Sequence, residues 1–205
     1  MPLLLHGSAA STFTRSARLA LAEKGVPYEL VPANLRAAEY AELHPWRKMP
    51  VLEHDGFRVY EAAAVMRYVD EAFAGPALQP ADPRERARMT QWMSAINDYV
   101  APAAVRGVLI PRFVLAPRGL PVDDAKVHAS AEKAKAALAV FDAALTHTVW
   151  LAGDRPTLAD WLLAPIVASG AGLTGADRYT DDLPHLAAWF DRVNQRPSFA
   201  ATRPN

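Results

Sequence analysis

Between Leu43 and Val69 the chain reads LHPWRKMPVLEHDGFRVYEAAAVMRYV, and over this stretch its hydrophobic period changes from that of a strand to that of a helix. Arg47-Lys48 comes first, and Met49-Pro50 then opens the short apolar run Val51-Leu52. Asp55-Gly56 favours a tight hairpin turn, and Phe57-Arg58-Val59-Tyr60 is the returning strand. Past Glu61, the residues Ala62, Val65, Met66, Val69 and Phe73 recur at helical spacing, which predicts a helix starting beside Glu61. The unit brings together backbone groups next to a proline, a carboxylate at a helix start and two cations, a set suited to a small zwitterionic peptide. A proline at the mouth of a strand cannot donate to the ladder, and spacing alone reads Pro50 as a trans residue on an edge strand. A cis bond would instead turn the Met49 N–H and C=O toward a ligand.

On the N-terminal side, Leu3-Leu4-Leu5-His6 reads as a short buried strand followed by the small-residue stretch Gly7 to Thr12. A helix is predicted from about Thr12 to Lys24, with Phe13, Ala17, Ala20 and Leu21 on one face and Gly25 as its stop. Tyr28 to Val31 is a second strand, so the opening is β-α-β with parallel pairing. Pro32 to Leu43 suits a short, weak helix. Residues 1–75 therefore predict an α/β, thioredoxin-like domain, and the proline-rich stretch 76–83 predicts a linker.

Strand signals stop there, and residues 84–205 predict an all-helical domain. Asp82-Pro83-Arg84-Glu85 gives an N-cap, a proline at the first helical position and an acid in the first turn. Met89, Trp92, Met93, Ile96, Val100 and Ala103 form a long stripe, which the stretch Gly107 to Pro121 is expected to interrupt with turns. A second stripe runs through Val127, Ala131, Ala134, Leu138, Phe141 and Leu145. Thr157 and Asp160 have capping-box spacing and a structural role. The final helix is expected from near Pro184 to Pro197.

Lys+Arg and Asp+Glu both number 22, which gives no bias toward nucleic acid or an anionic membrane. No apolar run reaches membrane-spanning length, no signal peptide is evident, and a cytoplasmic location is expected. The chain has no cysteine, which removes disulfides, thiolate metal sites and any thiol nucleophile of its own. Sulfur chemistry here requires a sulfur carried in by a ligand.

The proline–hairpin–acid segment resembles the glutathione site of the glutathione transferase family. The block LAGDRPTLADW resembles the capping-box motif of that family's helical domain, and LPHLAAWFDRVNQRPSF resembles its final helix. The likeness covers nearly the whole chain in the right order. The loop GSAASTFTR is similar to the serine-type versions, most like the phi class, in cytosolic bacterial-style homologues. The resemblance implies that Ser11 is the catalytic hydroxyl that holds the glutathione thiolate, with Thr12 and Ser8 as alternatives. Independently of it, Ser11 reads as an N-cap, and the two roles are compatible. It further implies that Met49, before a cis Pro50, pairs with the cysteinyl backbone, and that Glu61-Ala62 holds the γ-glutamyl end.

The pattern departs from the family at Ala62, where a Ser or Thr usually adds its hydroxyl to the carboxylate contact. Loss of that bond costs about 1.5–3 kcal/mol, or roughly 10- to 150-fold in affinity. Arg47 and Lys48 are available for the glycyl carboxylate, or else are solvated surface, and His44 beside them is a possible donor or a turn residue. The acceptor pocket is expected between the domains, with Tyr99, Arg106 and Phe113 as its candidates and Asp98 reaching across a dimer. The resemblance implies glutathione as substrate, no metal, a small hydrophobic electrophile and a homodimer. Two activities are compatible with it: addition of the thiolate to an electrophile, or reduction of hydroperoxides by the same thiolate. The alternative is a non-catalytic relative that binds an apolar ligand in the interdomain groove.

Overall fold

The computed structural model describes residues 2–204, which divide into two compact units. One contains the chain through Pro80 together with the residues from Gln195 on, and the other runs from Ala81 to Asn194.

The first unit is built on four strands, β1 (Leu4–Gly7), β2 (Glu29–Pro32), β3 (Val51–His54) and β4 (Phe57–Tyr60), in the order β2-β1-β3-β4. β1 pairs parallel with β2 and antiparallel with β3, and β3 pairs antiparallel with β4. This is the mixed sheet expected of a thioredoxin-like domain. Helix α1 (Thr12–Lys24) makes the crossover between β1 and β2 and ends at Gly25, whose φ of 67° suits a residue without a side chain. At the hairpin, Asp55 (φ 49°) and Gly56 (φ 83°) both take the left-handed conformation that matches strand twist. Helix α3 (Ala62–Ala72) and α1 contribute Val65, Met66, Val69, Ala17 and Leu21 to a core closed by Leu5 and Leu52. The weak helix expected before His44 is the single turn α2 (Tyr40–Leu43). After α3, Asp70 takes Lys24 Nζ at 3.1 Å and the Leu78 N–H at 2.8 Å, which ties the departing chain to α1.

In the second unit the stretch Gly107 to Pro121 is not a turn-rich interruption. Helix α4 (Pro83–Ala95) continues through widened turns at Ile96–Val100, Pro102–Leu109 and Pro111–Leu115 and a tight turn at Ala116–Arg118, giving one helix over Pro83–Arg118. In the widened turns each bond spans five residues, as from the Ala101 N–H to Ile96 and from the Ala116 N–H to Pro111. Pro102 and Pro111 are thus absorbed without breaking the rod. Gly107 serves a close approach rather than a turn, because a Cβ there would lie 2.5 Å from the Ser130 side chain. Gly119 (φ 67°) ends the helix. The helix so formed is long and apolar enough, by length and composition, to cross a membrane, which amends the expectation from short apolar runs. Its Met89, Met93, Ile96, Val100 and Val108 are buried within the protein, while Tyr99, Ile110 and Phe113 on the same helix are exposed.

Helix α5 (Asp124–Ala144) packs its predicted stripe inward, and α6 (Leu158–Ala171) is buried along nearly its whole length. Helix α7 (Pro184–Asn194) stops before Pro197, which instead opens a separate short helix, α8 (Pro197–Ala201), in the first unit.

The capping box is present, and it does more than cap. Asp160 is fully buried, its Oδ2 accepting from the Thr157 N–H (2.8 Å) and hydroxyl (2.9 Å). Its Oδ1 accepts from the Leu151 N–H (3.0 Å) and Trp189 Nε1 (2.9 Å), joining the preceding loop and α7 to the start of α6. Burial pushes this carboxyl above its ordinary pKa, against the pull of the four donors. Asp160→Ala strands those donors in the interior and is expected to cost at least ~3 kcal/mol, read as a lower urea midpoint for the second unit.

A second polar junction forms where Arg112 meets Asp177 through Nε (2.6 Å) and Nη2 (2.8 Å) and Asp124 through Nη1. The Arg112 hydrogen bonds hold Asp177 below the usual carboxylate range. Its contribution to stability is therefore full above the unfolded carboxylate pKa and is lost as pH falls through the lower folded value. In acid unfolding followed from about pH 5 to pH 2, Asp177→Asn is expected to flatten the loss of stability relative to the parent protein.

Candidate active site

The register of the sheet brings the candidate residues to one end of it. His6, the penultimate residue of β1, faces Val51 at the start of β3, and Val51 faces Tyr60 at the end of β4. The loop after β1, the Met49-Pro50 step before β3 and the Glu61-Ala62 step after β4 therefore lie at the same end of the sheet. Neighbouring strands lie about 4.8 Å apart, so β1 and β4 are separated by roughly 10 Å. An extended tripeptide spans about 10–11 Å, which matches that separation. Helices α1 and α3 both start at this end, and helix N-termini favour negative charge.

Ser11 is the N-cap of α1, and its Oγ accepts from the Thr14 N–H at 3.3 Å. Capping uses the oxygen as acceptor and leaves the hydroxyl proton free to donate, so Ser11 can cap and serve a ligand together. Thr12, the first alternative, is buried, and Ser8 is exposed with its Oγ near the Ala10 N–H at 3.4 Å.

The Met49-Pro50 bond is cis. The ladder starts at Val51, so the Met49 N–H and C=O are not committed to β1. Glu61 is exposed and holds φ 68°, ψ 118°, a conformation that side-chain-bearing residues rarely adopt. Ala62 opens α3 and is buried, so position 62 offers an amide and no side-chain donor.

Arg47 and Lys48 are both exposed, Arg47 with φ 48°. The Lys48 carbonyl accepts from the Tyr40 hydroxyl at 2.9 Å, which fixes the backbone just before Met49. That brace joins residues eight apart in a stretch without periodicity, and only the aromatic hydroxyl hinted at it. His44 is a buried turn residue whose Nδ1 accepts from the Trp46 N–H (3.3 Å) and whose ring lies 4.6 Å from that of Tyr60. Burial lowers its pKa, with Glu61 pulling upward and Lys48 downward, which leaves a neutral ring carrying its proton on Nε2.

In the second unit Tyr99 (68% exposed), Arg106 and Phe113 (54% exposed) are surface residues of the long helix, as is Asp98. Tyr99 and Phe113 are therefore not core residues. Among the described residues there is no group of three or more His, Cys, Asp or Glu side chains placed to hold a metal.

Family models of the glutathione S-transferase N-terminal and C-terminal domains match residues 5–77 and 91–197 respectively. Glutathione S-transferase F10 of Arabidopsis thaliana is 31% identical over 194 residues, covering 91% of this chain and 89% of its own length. The crystal structure of glutathione transferase F7 from Populus trichocarpa superposes with a TM-score of 0.88 at 27% identity, covering 98% of this chain and 97% of that one. A glutathione S-transferase-I bound with lactoylglutathione superposes with a TM-score of 0.86 at 26% identity over 98% of each chain. The plant relatives agree with the likeness to the phi class drawn from the loop GSAASTFTR. With both of its domains matched in order and relatives alike over nearly its full length, the chain belongs to the glutathione S-transferase family of enzymes.

Proposed function

We propose that this protein binds glutathione across one end of its first sheet, activates the thiol with Ser11, and transfers it to a small hydrophobic electrophile. The observation that carries the reading is the shared register of His6, Val51 and Tyr60, which aligns an N-cap hydroxyl, a cis-proline backbone and two helix starts. In this reading residues 1–75, with the returning residues from Gln195 on, supply the glutathione side, 76–83 form the linker and 84–194 supply the acceptor side; the expected bound at 205 gives way because residues 196–202 pack on α1. Met49 pairs through its backbone with the cysteinyl residue ahead of Pro50, and Glu61 accepts from the γ-glutamyl ammonium. The Ala62 amide at the start of α3 takes the γ-glutamyl carboxylate, and Arg47 and Lys48 take the glycyl carboxylate. Tyr99, Arg106 and Phe113 face the electrophile. The protein acts as a cytoplasmic homodimer and needs no metal.

A free thiol has a pKa of about 8.5, so only a few percent is ionised at neutral pH. A hydrogen bond from the Ser11 hydroxyl to the thiolate is worth about 1.5–3 kcal/mol, or about 1–2 pKa units. The start of α1 acts in the same direction. The thiolate then attacks the electrophilic carbon, a C–S bond forms, and the leaving group departs with the electrons of its bond. With a hydroperoxide, the thiolate sulfur attacks the terminal peroxide oxygen, an S–O bond forms as the O–O bond breaks, and the alkoxide takes up a proton and leaves as the alcohol. Glutathione is oxidised to its sulfenic acid, which a second glutathione thiol converts to the disulfide and water. That relatives carry transferase names, one of them bound to a glutathione derivative, gives the catalytic reading precedence over a purely ligand-binding one.

Two measurements test the site. With glutathione and a chromogenic aryl halide, Ser11→Ala is expected to lower kcat/KM by about 10- to 100-fold at neutral pH and to raise the pKa seen in the rate profile by about 1–2 units. An unchanged profile moves the hydroxyl to Thr12 or Ser8. Ala62→Ser restores a donor to the carboxylate and is expected to lower the glutathione Kd by about tenfold or more, read by calorimetry. An unchanged Kd places that carboxylate elsewhere.

A further inference from the structure

Helix α1, which carries Ser11, is fastened along one side by residues 196–202 of the first unit. The Glu23 carboxylate accepts from Arg196 through Nη2 (2.6 Å) and Nε (3.3 Å) and from the Ser198 hydroxyl. Arg15 donates through Nη2 to the Phe199 carbonyl (3.0 Å), and its guanidinium carbon lies 4.0 Å from the centre of the Phe199 ring. Arg18 donates through Nη1 to the Thr202 carbonyl (3.1 Å) and through Nε to the Tyr28 hydroxyl (2.8 Å). Arg15, Arg18 and Glu23 of one helix are thus all engaged by a segment more than 170 residues distant in sequence.

On the α1 side the fastening is buried: the Glu23 side chain is 6% exposed and Arg15 is buried, while the Arg196 side chain is 42% exposed and closes the pair from the surface. Burial, and then the neighbouring charges of Arg18 and Arg203, pull the Arg15 pKa down to about 10, so it remains a cation at neutral pH. Arg15 also lies one turn beyond Ser11, its N–H donating to the Ser11 carbonyl at 2.8 Å. Displacement of α1 on its bed therefore moves the Ser11 hydroxyl.

We infer that Glu23, Arg196 and Ser198 form a clasp of positioning residues that seats α1 and so sets how well Ser11 reaches the glutathione sulfur. None of the three needs to touch the substrate. The inference rests on the role proposed above for Ser11. A hydroxyl displaced by a fraction of an ångström still caps the helix but donates poorly to the thiolate, and such misplacement costs rate far from its origin.

The test uses the full protein with glutathione, following thiolate formation by its ultraviolet absorbance as pH is raised and measuring conjugation of an aryl halide. Arg196→Met removes the ion pair, Arg196→Lys restores a cation to it, and Ser198→Ala removes one hydrogen bond while leaving the ion pair in place. For Arg196→Met the pKa of bound glutathione is expected to rise by about 0.5–1 unit and kcat at neutral pH to fall about 3- to 10-fold, with KM for glutathione within about twofold. The rates should converge on the parent value at high pH, where glutathione ionises unaided. Arg196→Lys should recover part of the shift, and Ser198→Ala should show a smaller shift of the same sign. If Arg196→Met does not fold, Ser198→Ala carries the test alone. Folded variants with an unchanged thiol pKa overturn the clasp and leave the assignment of Ser11 standing. A parent protein that binds glutathione without lowering its thiol pKa overturns the assignment of Ser11, and the clasp with it.

Discussion

The antiparallel pairing of β3 with both β1 and β4 is the constraint on which the first unit's chemistry depends. Because His6, Val51 and Tyr60 share one register, three chain segments distant in sequence leave the sheet at one end. A slip of one residue would turn Leu52 out of the core and move the Met49-Pro50 step away from the loop after β1. Leu5 and Leu52 are Cα partners in this register and both are fully buried, and a slip would part them. Hydrophobic burial thus fixes where the backbone polar groups stand.

Charge at that end comes from the backbone as much as from side chains. Two helix starts supply partial positive charge at fixed positions, and neither needs a counterion in the interior. Glu61 stands at the start of α3 in a backbone conformation that costs on the order of 1–3 kcal/mol for a residue with a side chain. Val65, Met66 and Val69 anchor the helix behind it and offset that cost. Glu61 is left exposed at the start of that helix. At position 62 the hydroxyl usual in the family is missing, and the residue offers only its amide at the helix start.

The second unit follows a different economy. Its long helix tolerates Pro102 and Pro111 through widened turns, and its loops are organised by buried or half-buried acids. Asp160 collects four donors from three places in the chain, and Asp177 collects Arg112. Each acid joins segments that have no periodic relation to one another.

What the sequence determined by itself is local. Period-two runs flanking Asp55-Gly56, the stop at Gly25, the capping box at Thr157 and Asp160 and the helical stripes depend on neighbours within a few residues, so strands, helices and turns could be read in order. Ser11 as an N-cap, Pro50 at the mouth of a strand and Glu61 beside a helix start were legible for the same reason. Reading failed where a distant partner decides the outcome. Gly107 lay in a stretch that looked turn-rich and instead admits Ser130, Pro111 lay in the same stretch and is carried inside the long helix, and Pro197 looked like an ending but opens the short helix whose residues meet α1. Spacing alone read the Met49-Pro50 bond as trans and the resemblance implied the cis form that the structure has, while the buried place of His44 and the convergence of three strand ends belong to the tertiary structure. Each depends on which surfaces meet, and the pairing of surfaces is set by packing across the fold rather than by residues adjacent in the chain.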